Sequence, residues 1–547
     1  MDPYKGINTR STPQTERALP TQVANSAGGF SFQVDEMQRA LRFLILGSEG
    51  GSYYASEQAL TRENAAVILD LAERRGTELV DLIRDVSVNG RAAKQAPTLF
   101  ALAVCAGARN VATRQAALSV LSDVCRTGTM LFQFVGYVEQ FRGWGRSLRT
   151  AVGNWYLSKD VDRLAYQAVK YRQREGWSHR DLLRLSHPST TDSDRSDLFS
   201  WITHGTPAED ADVVRTGLPA IVTAHQKAMA TTSESHWVDL VSEYNLPWEA
   251  LPDAALKSNA VWEAMLPNMG ITALIRNLGR LTSNGVIAPL GGDNTKLIAD
   301  RLLDAEAIRR GRVHPLTILN ALMTYQSGHG FRGNLSWNPS GRIVSALDEA
   351  FYLSFGTLTP AGKRTLIGLD VSGSMGVNIQ NSALTARDAA AAMAMTVVRT
   401  EQDYAVCAFS DGRVSTYRWG GAYGGDGFTS MAITPNQRLD DVVRMTNSLS
   451  FGGTDCSLPM KFASQHKLVV DTFIVLTDSE TYAGSPHPHQ ALEQYRQKSG
   501  VPARLIVVGM TSSGFTIANP ADAGMLDVVG FDTATPDIVR GFSAGEF

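Results

Sequence analysis

The strongest constraint on the fold is a change of hydrophobic period at about Lys363. Before it, from about Phe30 to about Phe355, apolar residues recur at spacings of three and four, the period of amphipathic helices. Ala65, Ile68, Leu69 and Ala72 predict one buried face, and Ala116, Ala117, Val120, Leu121 and Val124 another. The stretch 98–106 is apolar all round and follows Pro97, which suits a first helical turn, so it predicts a buried helix. Breaks such as Asn89-Gly90 and Thr127-Gly128 separate the helices without a strict repeat. Many antiparallel helices on short turns predict a degenerate helical-repeat array with an extended concave surface.

After Lys363 short apolar runs alternate with helical stretches. Strands are predicted over 365–371, 404–409, 472–477 and 504–508, with helices over 382–400, 439–449 and 488–498. That succession predicts a doubly wound parallel sheet with helices on both faces. The Gly-rich stretch 419–430 predicts a surface loop or hairpin tip. The predicted class is therefore α plus α/β: a polar tail over 1–29, a helical domain over 30–363 and a sheet domain over 364–547.

Composition adds exclusions. Apolar residues at 44% and charged residues at 19% exclude disorder of the whole chain. The four cysteines, Cys105, Cys125, Cys407 and Cys456, have no CxxC spacing, so reduced buried thiols are expected rather than a zinc site or disulfide frame. The first 29 residues lack an apolar core, and the longest apolar stretch, 389–398, is too short for a bilayer. A soluble, cytoplasmic protein without a membrane partner is expected. The net charge of −3 splits into −6 over 365–547 (12 Lys and Arg, 18 Asp and Glu) and +3 over 1–364 (39 and 36). Any anion site must therefore come from local clustering.

In the sheet domain Asp370, Ser372 and Ser374 follow the first predicted strand, Thr454 lies in a Gly-Gly-Thr loop, and Asp478 follows another strand. Ligands gather at the carboxyl ends of strands in an open parallel sheet, so these loops should converge. Two carboxylates and three hydroxyls, without His or Cys, suit one hard divalent cation such as Mg²⁺. The set resembles the metal-ion-dependent adhesion site of von Willebrand factor A domains. A capping role alone would explain Asp370 and Ser372 but not Thr454 and Asp478. No nucleophile–base pair accompanies them, so a binding site rather than an enzyme is expected.

The helical domain contains an unusual stretch at 137–187, with ten Lys and Arg against five Asp and Glu. Arg142, Arg146 and Arg149 predict one basic column, and Arg163, Gln167, Lys170 and Arg174 a second. Stacked like charges destabilise a helix, so an unneutralised column implies an anionic partner. Trp144, Trp155, Tyr156, Tyr166, Tyr171 and Trp177 are interleaved, and cations beside stacking planes suit nucleic acid. The competing reading is a solvated basic face over core aromatics.

The stretch LAYQAVKYRQREGWSHRDLLRLSHP at 164–188 closely resembles the signature of the Ro autoantigen family, the TROVE-module proteins of Ro ribonucleoproteins. RFLILGSEGGSYY (42–54), NLGRLTSNG (277–285), SGHGFRGNLSW (327–337), AFYLSFGTLTPAGKRTLIGLDVSGSMG (350–376), GGTDCSLPM (452–460), FIVLTDSETYAG (473–484) and LIVVGMTSSGFTIANPADAGMLDVVGFDT (505–533) extend the resemblance. It implies a ring of HEAT-like helical repeats closed by a von Willebrand factor A domain. It also implies Y or Y-like RNA on an outer basic surface and single-stranded ends of misfolded noncoding RNAs in a central hole. Lys170, Arg172, Arg174 and His187 would serve the Y RNA surface, with Arg180 and Arg184 beside them. Bacterial relatives imply roles in noncoding RNA quality control and stress survival, with an exoribonuclease tethered through the RNA. The segment 417–431 departs from animal relatives by its length. A metal-dependent protein-interaction scaffold without an RNA role is the rival reading, and a metal-dependent hydrolase the second.

Overall fold

The computed structural model describes all residues except 1–10, 50–51, 53–54, 175, 206–217, 331–333, 357, 380–381, 383, 412–426, 450–451 and 547. Helices run from Glu36–Leu46 to Gly341–Leu353 and pack mostly against near neighbours in the chain. Their starts follow from local chemistry. Asp35, Ser56, Asn110, Thr127, Asp160 and Ser178 each accept backbone N–H groups that the first turn leaves orphaned. Ala96–Gly107, with Pro97 in its first turn, is buried along nearly its whole length, as its all-round apolar character requires. The face expected on the helix Glu57–Arg74 is rotated: Leu69 is exposed, and Asn64, Ile68, Leu71 and Ala72 are buried. Asn64 faces inward because its amide donates to Ser48 Oγ (3.0 Å) and Ser512 Oγ (3.3 Å).

The C-terminal half holds a six-stranded sheet in the order Met525–Val529, Arg504–Gly509, Thr472–Thr477, Thr365–Asp370, Tyr404–Phe409, Phe428–Ser430. All neighbours are parallel except the last pair. The three central strands from Thr365, Thr472 and Arg504 are almost wholly buried, as continuous apolar runs with helices on both faces must be. Gly368 is obligatory, because a Cβ there would stand 2.7 Å from the Pro459 ring. Most of the expected Gly-rich loop lies outside the described residues; its end, Phe428–Ser430, is the antiparallel edge strand. All four cysteines are buried free thiols.

Both ends of the helical half grip the sheet domain. At the first, the buried Arg42 guanidinium pairs with Asp527 (2.5 Å) and donates to the carbonyls of Ser513 (2.8 Å) and Phe515 (2.9 Å). Arg91 pairs with Asp532 nearby. At the other, Asp348 accepts from the Leu439 amide (2.9 Å) and pairs with Arg399 (3.4 Å), while Gln326 donates to Asp440 (2.6 Å). The helical array also meets itself: Arg312 Nε donates to Val88 O (2.6 Å), and His314 Nε2 stands 3.0 Å from Arg91 O. The predicted class, a closed ring of helices plus an α/β domain, is what these contacts build.

The polar tail is a correction. From residue 11 onward it is docked on the sheet domain. Phe30–Gln33 pairs with Val23–Ala24 on one side and Phe515–Thr516 on the other. The buried Gln14 amide donates to Asp455 (2.6 Å) and Pro486 O (3.0 Å), and Asn25 donates to Thr481 O (2.7 Å). The segment has few apolar residues because side-chain amides, satisfied by loop backbone, hold it in place.

Candidate metal centre and basic helical face

Three loops at the carboxyl ends of the strands bring Asp370, Ser372, Ser374, Thr454 and Asp478 together, all buried. Asp370 ends its strand; its carboxylate accepts from Ser372 N (2.9 Å) and Thr477 Oγ1 (2.6 Å). Ser372 Oγ and Ser374 Oγ are 3.1 Å apart. Glu480 N donates to Asp478 (3.1 Å) and fixes the third loop. Gly452 and Gly453 let the Thr454 loop approach: a Cβ on either would collide with the Asp411 carboxylate, and at Gly453 also with the Tyr482 hydroxyl. The docked N-terminal segment supports the Asp478 loop, with Ser31 Oγ donating to Ser479 O (3.1 Å) and Ser26 N to the Glu480 carboxylate (2.9 Å).

Two observations test whether this set fits a cation. Thr454 Oγ1 is buried with no hydrogen-bond partner among the described residues. Burial, then the neighbouring Asp370 carboxylate, push the Asp478 carboxyl up to about 7, and burial also raises Asp370. Two carboxylates crowded in a dry site favour a proton or a cation between them. The all-oxygen donor set fits a hard divalent ion.

The basic stretch folds as two helices, Arg146–Leu157 and Val161–Lys170, then a short hairpin through Gln173–Arg174 and Trp177–Ser178, then the helix His179–Ser186. Neither expected column survives intact. Arg142 precedes the first helix, capped at Gly145, and donates to Ala106 O (2.9 Å), closing the end of a neighbouring helix. Arg146 and Arg149 are exposed on it. The second helix stops because Tyr171 leaves helical backbone (φ −116°, ψ 71°), which puts Arg174 on the hairpin. Gln167 turns inward and accepts from Gly128 N (2.9 Å). Lys170 is half-buried, its Nζ 5.4 Å from the ring centroids of both Tyr166 and Tyr171.

The cations of 163–187 other than Lys170 reach solvent. Arg163, Arg172, Arg174, Arg180, Arg184 and His187 are all exposed. No ion pair to Arg163, Arg172, Arg180 or His187 is found among the described residues. Arg172 and Arg180 border a groove of about 780 Å³ whose other wall carries Trp201, His204 and Lys227. That far wall lies outside the basic stretch, and a lone Trp, His or Lys carries no sequence signal. A second cavity, of about 720 Å³, lies where Lys94, Trp248, Arg276, Asn320, Thr324 and Ile379 meet. Asn320 Oδ1 and Thr324 Oγ1 there are buried without partners among the described residues.

The aromatics divide. Trp155 and Tyr156 are fully buried and belong to the core, so they are not stacking planes. Trp144 and Trp177 are half-buried and form a tilted pair 5.9 Å apart. His179 is buried against Phe132 and Trp155 and bonded to the Tyr156 hydroxyl (2.9 Å). Burial pushes its pKa down to about 3. The unfolded chain takes up this proton near its ordinary value of about 6.5 and the folded chain does not, so stability is full above 6.5 and is lost as pH falls toward 3. The expected loss is about 2 kcal/mol from this site between pH 6.5 and 5. Urea unfolding at those pH values checks it: His179→Gln should show a shallower acid loss than the wild type.

The TROVE domain family matches residues 23–217 and 243–324, and the Ro60 vWA domain family matches 364–543. The RNA-binding protein RO60 of Deinococcus radiodurans is 41% identical over 546 residues, 99% of each chain. The chain belongs to the Ro family. The RNA-binding protein RO60 of Caenorhabditis elegans is 35% identical over 607 residues, covering 97% of this chain and 92% of that one. The crystal structure of the Deinococcus radiodurans RO (RSR) protein superposes with a TM-score of 0.68 at 40% identity, over 94% of this chain and all of that one. In this chain the basic stretch 137–187 lies within the TROVE match, and Asp370, Ser372, Ser374, Thr454 and Asp478 lie within the vWA match.

Proposed function

We propose that this chain is the RNA-binding protein of a Ro ribonucleoprotein. It holds a Y or Y-like small RNA on the exposed face of 163–187. It takes single-stranded ends of misfolded noncoding RNAs into the cavity between Lys94, Trp248 and Arg276. The observation that carries the reading is the set of exposed cations Arg163, Arg172, Arg180 and His187, which have no carboxylate partners among the described residues. Such a surface gains counterion-release affinity from a phosphate backbone and gains little from solvent. The relatives named RNA-binding proteins support it over a protein-only scaffold. In this reading the chain is a cytoplasmic, monomeric ring in noncoding RNA quality control and stress response, and an exoribonuclease joins through the bound RNA.

The vWA half then binds one Mg²⁺ or similar cation through Asp370, Ser372, Ser374, Thr454 and Asp478, with a position open to a partner carboxylate. The orphaned Thr454 hydroxyl supports this. The Ser372 and Ser374 hydroxyls bond each other and the Asp370 and Asp478 carboxylates, which keeps these oxygens side by side. Purified protein with Mg²⁺ should bind a structured small RNA in filter binding and return it uncut. Sustained cleavage that disappears in Asp478→Ala would overturn the non-enzymatic reading, and absence of binding would overturn the RNA reading.

A further inference from the structure

Outside the face already described, Lys159, Arg126 and Arg312 come together from three loops distant in sequence. The contacts linking them are continuous. Lys159 Nζ stands 4.0 Å from the centroid of the buried Trp155 ring. The Trp155 indole N–H donates to Cys125 O, immediately before Arg126. Arg126 Nη1 donates to Ser87 Oγ (2.8 Å), and the next carbonyl, Val88 O, accepts from Arg312 Nε (2.6 Å). Arg312 is held there by unusual backbone. It has φ +47°, a conformation uncommon for a side chain of this size, and it packs over Gly90, where a Cβ would stand 2.9 Å from its own Cβ.

The cluster is uncompensated. No ion pair to Arg126, Lys159 or Arg312 is found among the described residues. Asp123, the nearest acid in sequence to Arg126, is engaged by Arg84 (2.7 Å). Asp160, next to Lys159, caps its helix through Arg163 N (3.0 Å). Burial and then Arg312 push the Arg126 guanidinium down to about 10, and burial and then Arg163 push Lys159 down to about 8. Cations that burial and a neighbouring cation both disfavour, with no carboxylate paired to them among the described residues, mark a surface that an anion would complete.

We infer that Arg126, Lys159 and Arg312 form a second phosphate-binding site, taking the backbone of single-stranded RNA on the rim where the helical array meets itself. The inference rests on the RNA reading above. Arg163 supplies the continuity: it belongs to the exposed cations of 163–187 and bears electrostatically on Lys159, so a backbone leaving that face meets the rim cation next. A phosphate here also touches loops from the first and last parts of the array, so it braces the ring.

The test is fluorescence anisotropy of a labelled, unstructured oligouridylate at several salt concentrations, with wild type and the triple variant Arg126→Gln, Lys159→Gln, Arg312→Gln. The variant should bind at least tenfold more weakly at low salt. The slope of log affinity against log salt should fall by about 2, at about 0.7 per lost contact to a single strand. Wild-type binding that is unchanged in a folded triple variant overturns the inference. Failure of the wild type to bind any RNA overturns the underlying reading as well. A footprint on the wild type needs no variant: acylation of the Lys159 amine should slow several-fold when oligouridylate is bound, and an unchanged rate overturns the site. A polyglutamate peptide that competes as well as oligouridylate would assign the rim to acidic protein and overturn the RNA assignment.

Discussion

Replacing Asp370 by Ala is expected to abolish divalent-cation binding by the vWA half and to leave RNA affinity of the helical face within twofold. Asp370 lies at the end of a central strand, and its carboxylate organises the cluster through Ser372 N and Thr477 Oγ1. Without it Asp478 is the only carboxylate of the five-residue set. A cation that binds only the folded protein stabilises it by about 2.7 kcal/mol at a hundred times its Kd. Wild type should therefore melt several degrees higher in Mg²⁺, and Asp370→Ala should show no shift. Calorimetric titration with Mg²⁺ reads the binding itself. Thr454→Val is the sharper control, because it removes only the orphaned hydroxyl: it should weaken Mg²⁺ while sparing stability without metal. Equal Mg²⁺ affinity in wild type and both variants would refute the assignment.

The largest effect on RNA is expected from Arg172→Ala, Arg174→Ala and Arg180→Ala together. All three side chains are exposed, so their removal costs little core area. Lys170 is the poorer choice for this purpose. It is half-buried with its ammonium 5.4 Å from the ring centroids of both Tyr166 and Tyr171, so Lys170→Ala would remove packing along with charge. Loss of three phosphate contacts should lower the salt slope by about 2 to 3 and weaken a structured small RNA at least tenfold at low salt. The weakening should be uniform across sequences, because phosphate contacts carry register rather than base identity. A solvated face predicts a small change in affinity and an unchanged slope. Titrations at several salt concentrations separate the two.

Much of the sheet domain was legible because its strands are buried on both faces. The predicted strands 404–409 and 472–477 match Tyr404–Phe409 and Thr472–Thr477 residue for residue, since continuous apolar runs bounded by polar residues leave little latitude. The approach of Asp370, Ser372, Ser374 and Asp478 was legible for a related reason: parallel topology sends the loops after their strands to one edge, whereas Thr454 lies between two helices, Leu439–Asn447 and Leu458–Gln465, and was legible only from its Gly-Gly-Thr motif. The basic columns were not, because helical spacing says nothing of where a helix stops. Tyr171 ends one helix before Arg174, and Gly145 begins another after Arg142. The docking of the N-terminal segment was illegible for a deeper reason. Gln14 and Asn25 look like solvated polar residues, and only their tertiary partners, Asp455 and Thr481, make them structural. The rim cations fall in the same class, since Arg312 meets the loops of Ser87 and Arg126 only where the array closes on itself.

The central claim is that RNA lies along the hairpin and helix that follow Lys170. Ultraviolet crosslinking of the wild-type protein to a Y-like RNA, followed by peptide mapping, tests it most directly. The account predicts crosslinked peptides within 163–187, with Tyr166, Tyr171 or Trp177 among the attachment sites and Trp155 and Tyr156 absent because they are buried. Crosslinks confined to the vWA half, with 163–187 unmodified, would contradict it.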